Sequence, residues 1–208
     1  MKTNQIEQIY NYLKLSDSVA TGGQPTEAQF SLIKEAGYQV VVNLARPDSP
    51  KALPNEQTIV ESLGMRYVPI PVDWENPTLE NVARFFSLME AICADAPNVA
   101  TADARRLANA DARRLANASL SLSLSQQRFA IATQPVFVHC AANMRVSAFM
   151  YLYRLIYEGM SDEQAKSDLQ KIWTPNDTWQ AFIQQVIEHY QLLSQHQEVD
   201  AAHPTSGD

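Results

Sequence analysis

The chain has 208 residues, 46% of them hydrophobic, enough to bury one substantial core, and length alone favours one domain spanning 1–208. A formal charge of −7 argues against a general nucleic-acid or anionic-membrane binder, and no stretch approaches the ~20 apolar residues that cross a bilayer. Cys93 and Cys140 are too few for a disulfide framework or a zinc cluster, and the first residues lead into no apolar signal core, so a reducing cytoplasm that keeps Cys140 a thiol is expected.

Ile6, Ile9, Tyr10 and Leu13 have the spacing of a short amphipathic helix that packs at the N-terminus. Residues 16–24 read as extended and end in a turn, Gly22-Gly23-Gln24-Pro25. Thr26 and Gln29 have capping-box spacing and open a helix that Gly37 closes. A buried strand, 40–44, follows. The loop 46–50 lies at its C-terminal end, where open α/β sheets place ligands, so Arg46 and Asp48 could face a site, although the simpler reading makes them ordinary loop residues. Residues 55–63 read as helix before Gly64, and 66–72 as the next strand, after which come Asp73, Trp74 and Glu75. Alternating strands and helices imply right-handed crossovers, hence an α/β fold: a central, mostly parallel sheet of four to five strands with helices on both faces.

Leu79, Val82, Phe85, Phe86, Met89 and Ile92 trace one apolar helix face, with Cys93 expected in the core near its end. Then the character changes. The octamer Ala-Asp-Ala-Arg-Arg-Leu-Ala-Asn at 102–109 is repeated unchanged at 110–117, and Ser alternates with Leu over 119–125. Eight residues advance about 80° around a helix axis, so Leu107 and Leu115 share no face. We read about 95–133 as a surface insert, with Arg105, Arg106, Arg113 and Arg114 on a solvated face.

The apolar run 135–139 reads as a buried strand ending at His139, and from Arg145 the pattern turns helical until Gly159. Cys140 therefore lies in a tight strand-to-helix turn, where converging backbone amides and the helix dipole make an anion cradle that favours a thiolate. Arg145 can hold two phosphate oxygens with its planar fork. The plainer alternative makes Cys140 a small buried hydrophobe and Arg145 the start of a solvated helix. Ser161 and Gln164 cap a helix through 171, and a last helix is expected over 177–194, with Trp179, Phe182, Ile183, Val186 and Ile187 inward and a polar tail from about 195. Segments around Trp173 should cover a sheet face. His189, His196 and His203 make no metal case.

The run His139-Cys140-Ala141-Ala142-Asn143-Met144-Arg145-Val146-Ser147 resembles the signature of the cysteine-dependent protein tyrosine and dual-specificity phosphatases: His-Cys, five residues, Arg, then Ser or Thr. More narrowly, residues 16–157, apart from the insert, are similar to a bacterial branch of small phosphatase-like domains, a type also found fused to β-lactamase-like hydrolases. The resemblance implies a cysteine-phosphatase-like fold and a cysteinyl-phosphate route without cofactor or metal. Cys140 would be the nucleophile, Arg145 and the amides of Ala141, Ala142, Asn143 and Met144 the phosphate ligands, Asp73 the proton shuttle with Glu75 as second choice, Ser147 an aid to thiolate release, and His139 a support. Four residues separate Cys140 from Arg145 where the family has five, so alignment on the cysteine would put Val146 at the arginine position. Asn143 stands where the family carries glycine, and Asn tolerates a left-handed backbone. The expected partner is a phosphorylated protein or small molecule, with neither nucleic acid nor membrane. The alternatives are a phosphate-binding pseudophosphatase inactivated by the short loop, and, less well supported, a thiol redox or sulfur-transfer protein. Substrate identity and oligomeric state are not readable.

Overall fold

The computed structural model describes residues 5–93 and 134–202. Five strands, β1 (Leu13–Lys14), β2 (Val19–Gly22), β3 (Val40–Asn43), β4 (Arg66–Pro69) and β5 (Val136–His139), form one sheet in the order β1-β2-β5-β3-β4. β2, β5, β3 and β4 run parallel, and the antiparallel β1 forms one edge. The sheet is thus mostly parallel, as the alternation implied. Every residue of β2, β3 and β5 is buried, which is why β3 and β5 read as apolar runs, whereas β4 at the other edge is partly exposed. Gly22 and Asn43 both lie level with His139, and Pro69 with Asn43, so all four parallel strands finish along one edge.

Side chains alternate across the sheet. Val41 and Phe137 join Ile6, Ile9, Phe30, Ile33 and Val60 beneath α1 (Glu27–Glu35), α2 (Glu56–Ser62) and a 3₁₀ turn at Gln5–Gln8. Val40, Val42, Val136 and Val138 face Phe85, Phe149 and Trp179 under α3 (Leu79–Cys93), α4 (Met144–Ile156), α5 (Asp162–Ile172) and α6 (Asp177–Ala202). A fully buried ring such as Phe149 stabilises the fold by roughly 1.5–3 kcal/mol. The capping box of Thr26 and Gln29 forms, Ser161 caps α5, and Gly37, Gly64 and Gly159 all take positive φ past helix ends.

Four boundaries differ from expectation. The N-terminal helix is a single 3₁₀ turn, because Asn11 takes φ 50 and Leu13 enters β1, which leaves Tyr10 57% exposed. Gly22-Gly23 is not a turn: Gly22 ends β2 and Gly23 bridges to Ala142. β4 stops at Pro69 rather than at 72, since Pro69 and Pro71 lack an N–H and only Ile70 and Val72 donate onward, to Asn43 and Leu44 carbonyls at 2.9 and 3.1 Å. The last helix continues to Ala202, past the expected polar tail from 195. The insert at 95–133 with its repeat and four arginines, and the side chains of Cys93, His196 and His203, lie outside the described residues.

Candidate active site

Cys140 follows β5 directly and is 1% exposed, on the α4 side of the sheet. Asn143 is the N-cap of α4 with φ 64 and ψ 0, the left-handed conformation that Asn tolerates, and its carbonyl accepts the Ser147 N–H at 2.9 Å to close the first helical turn. The Asn143 side chain turns away from capping: its Nδ2 donates to the Asn11 carbonyl at 2.7 Å and to Thr21 Oγ1 at 3.0 Å. Two further loop carbonyls are held by donors from the start of the chain, Ala141 by the Gln24 N–H at 3.2 Å and Ala142 by Asn11 Nδ2 at 3.0 Å. Gly23 must be glycine for this approach, because a Cβ there would come within 2.9 Å of the Tyr10 ring, 3.0 Å of the Tyr10 carbonyl and 3.2 Å of the Ala141 carbonyl. The first amides of α4 have no intrahelical acceptor, and the helix dipole adds positive potential at the same place.

Arg145, in the first turn of α4, is 8% exposed, and its Nε has no hydrogen-bond partner among the described residues. Its Cζ lies 5.6 Å from the ring centroid of Trp74. A buried cation with an unused donor is costly unless an anion completes it. Val146 is wholly buried in the apolar core with Phe149, which leaves Arg145 as the cation beside the loop. Ser147 is engaged elsewhere: its hydroxyl donates to the Met144 carbonyl at 2.9 Å and accepts the Trp173 indole N–H at 3.1 Å.

Behind the loop, His139 is fully buried, and its Nε2 lies 3.1 Å from Glu56 Oε1, an ion-pair distance without the geometry of a good hydrogen bond. Glu56, 4% exposed, also accepts from Asn43 Nδ2 at 2.7 Å, from Tyr67 OH at 2.9 Å and from Gln24 Nε2. Burial pushes the Glu56 carboxyl up, but His139, Gln24 and Tyr67 together hold it below its ordinary value. The sequence reading places 55–63 on a helix and singles out no role for Glu56.

Asp73 follows β4 at the same sheet edge. Its Oδ1 accepts the Glu75 and Asn76 amides at 2.9 and 3.1 Å, and its Oδ2 accepts Arg46 Nη1 at 2.6 Å. The Glu75 amide first, then the Asn76 amide and Arg46, hold its carboxyl below the ordinary value against partial burial. Arg46 also pairs with Asp48, whose carboxyl is lowered by Arg46 and, more weakly, by Arg145. Of the two readings open for Arg46, facing a site or an ordinary loop residue, its bond to Asp73 favours the first. Trp74 carries this loop against Arg145, and its carbonyl accepts the Trp179 indole N–H at 3.0 Å. The rings of Trp74, Trp173 and Trp179 lie 5.3 to 6.1 Å apart, so Trp173 packs at the site. Asp73, Arg46 and Asp48 thus share with Arg145 the edge where the parallel strands end. Among the described residues no His, Cys, Asp and Glu side chains group as a metal site, and no helix is long and apolar enough to cross a membrane.

A mostly parallel sheet with a Cys-to-Arg loop between its central strand and the following helix defines the fold of the cysteine-dependent tyrosine and dual-specificity phosphatases. The structure of a DUF442 protein of Shewanella putrefaciens, assigned to the phosphatases, is 30% identical, covers 89% of this chain and 96% of its own, and superposes with a TM-score of 0.63. The chain belongs to the DUF442 family of phosphatase-like proteins. Two more distant structures share the fold: Pseudomonas aeruginosa TpbA bound to pTyr, at 14% identity and TM-score 0.53 over 93% of this chain and 94% of that one, and the core catalytic domain of the Saccharomyces cerevisiae PP-IP phosphatase SIW14 with citrate, at 12% and 0.55 over 85% of each. No family model and no curated protein sequence matches.

Proposed function

We propose that this protein hydrolyses phosphate monoesters through a cysteinyl-phosphate on Cys140. The thiolate attacks phosphorus, forming the S–P bond as the ester P–O bond breaks, and the leaving oxygen takes a proton from Asp73. Water then attacks the phosphoenzyme, giving its proton to Asp73, and the S–P bond breaks to return thiolate and inorganic phosphate. Arg145 and the first amides of α4 would hold the non-bridging oxygens throughout. The observation that carries this reading is the buried Arg145 guanidinium, its Nε unpartnered, in the first turn of the helix that follows the Cys140 loop. A phosphotyrosine substrate is the first to try, because a structure of the same fold was solved with pTyr.

A second reading, phosphate binding without turnover, is favoured by two features. Asp73 is held as an anion by Arg46 and two amides, and Cys140 is 1% exposed. Rapid-mixing hydrolysis of nitrophenyl phosphate separates the two. We expect a nitrophenolate burst close to one equivalent per chain from wild type and none from Cys140→Ser. Equal turnover by both proteins would remove Cys140 from the chemistry, and saturable vanadate binding without any burst would favour the second reading.

A further inference from the structure

We infer that Asn11, 129 residues before Cys140, is a positioning residue that fixes the shape of the anion cradle. The inference rests on the proposal that this loop binds phosphate. Three contacts tie the segment 10–11 to the loop and its neighbours, and a fourth holds the loop from Gln24. Asn11 Nδ2 donates to the Ala142 carbonyl at 3.0 Å, Asn143 Nδ2 donates back to the Asn11 carbonyl at 2.7 Å, the Gly23 N–H donates to the Tyr10 carbonyl at 2.7 Å, and the Gln24 N–H donates to the Ala141 carbonyl at 3.2 Å. Asn11 and Asn143 both take left-handed backbones, φ 50 and 64; Asn143 reaches the Asn11 carbonyl, and Asn11 reaches that of Ala142, the residue before Asn143.

The consequence is electrostatic. A loop of four residues between cysteine and arginine has little freedom to choose which way its peptide dipoles face, and a carbonyl oxygen turned towards a bound dianion would repel it. Asn11 and Gln24 occupy the carbonyls of Ala142 and Ala141. All peptides here are trans, so the N–H across each of these bonds points away from the donor that holds the carbonyl. The loop carries no glycine of its own, and the clamp comes from outside it. Asn11 touches neither the reacting atoms nor, by this reading, the substrate; it acts through the loop backbone.

The test uses the full chain, with Asn11→Asp, which keeps size but replaces the donor by an acceptor facing the Ala142 carbonyl, and Asn11→Gly, which keeps the positive φ and removes the side chain. Inorganic phosphate and orthovanadate are titrated by calorimetry, and the amide signals of Ala142 and Asn143 are followed by ¹⁵N NMR. We expect both variants to bind about tenfold more weakly, with the phosphate-induced amide shifts reduced. Asn11→Gly should keep a cooperative melt, so a merely structural role would leave its affinity and its amide shifts intact. Wild-type affinity in Asn11→Gly overturns the assignment while leaving the phosphate site standing. Absence of saturable phosphate binding by wild type overturns the cradle itself, and the inference with it.

Discussion

Asp73 is the residue whose present company is at odds with its proposed work. A general acid has to carry a proton when the ester bond breaks, yet two amides and Arg46 hold this carboxyl below its ordinary range. The Arg46 pair is exposed, so it contributes little stability, but it sets the charge state at the mouth of the site. The sign follows. If Asp73 donates the proton, turnover falls as pH rises through its value in the substrate complex, and removal of Arg46 moves that fall to higher pH. Arg46→Gln should therefore shift the basic limb of the kcat profile to higher pH, measured with phenyl phosphate. A downward shift, or none, would assign the proton to another group such as Glu75.

At the scale of elements, α2 matters less for its apolar face than for one carboxylate. Glu56 sits in its first turn and ties together β3 through Asn43, β4 through Tyr67, the strand-to-helix segment through Gln24 and the end of β5 through His139. Breaking such a buried cluster by Glu56→Ala leaves several polar groups unpaired and should cost about 3–5 kcal/mol. Its pH dependence is definite. The folded carboxyl lies below its unfolded value of about 4.3, so the unfolded chain binds the proton more readily and the cluster's contribution is complete only above that value. It is lost as pH falls through the folded value. Urea melts at pH 5 and pH 3 should show a larger loss for wild type than for Glu56→Gln, whose side chain does not titrate; equal losses would detach acid sensitivity from this cluster. Why sequence reading missed Glu56 is physical. Helical periodicity reports burial of apolar side chains, whereas a buried carboxylate is made tolerable by partners 11 to 83 positions away. Asn11 was hidden for the same reason, its partners lying 131 and 132 residues along. Trp74, Trp173 and Trp179 were visible as apolar residues, but not as the wall that joins the Asp73 loop to Arg145.

For the whole molecule, the sheet was legible because its central strands are buried on both faces and read as unbroken apolar runs, and the cysteine loop because a strand, a tight turn and a helix follow one another without a gap. What joins distant segments was not. The largest such join is the crossover from α3 to β5, which carries the insert expected at 95–133. That crossover delivers the central strand: β5 pairs with β2 on one side and β3 on the other, so the site exists only once the chain has returned across it. Both flanks are anchored independently, Val82, Phe85, Phe86 and Met89 on α3 and Val136, Phe137 and Val138 on β5 being buried among described residues. The doubled octamer would present no consistent apolar stripe as a helix, since an eight-residue repeat advances about 80° around a helix axis. Closing a flexible connection costs free energy only as the logarithm of its length. We therefore expect replacement of 95–133 by a short Gly/Ser linker to preserve one cooperative melting transition, with Tm within about 5 °C of the full chain, and phosphate affinity unchanged within about twofold. Loss of the cooperative transition would mean that the insert supplies part of the core. A cooperative melt with phosphate affinity lost would mean that it reaches over the strand ends and belongs to the site.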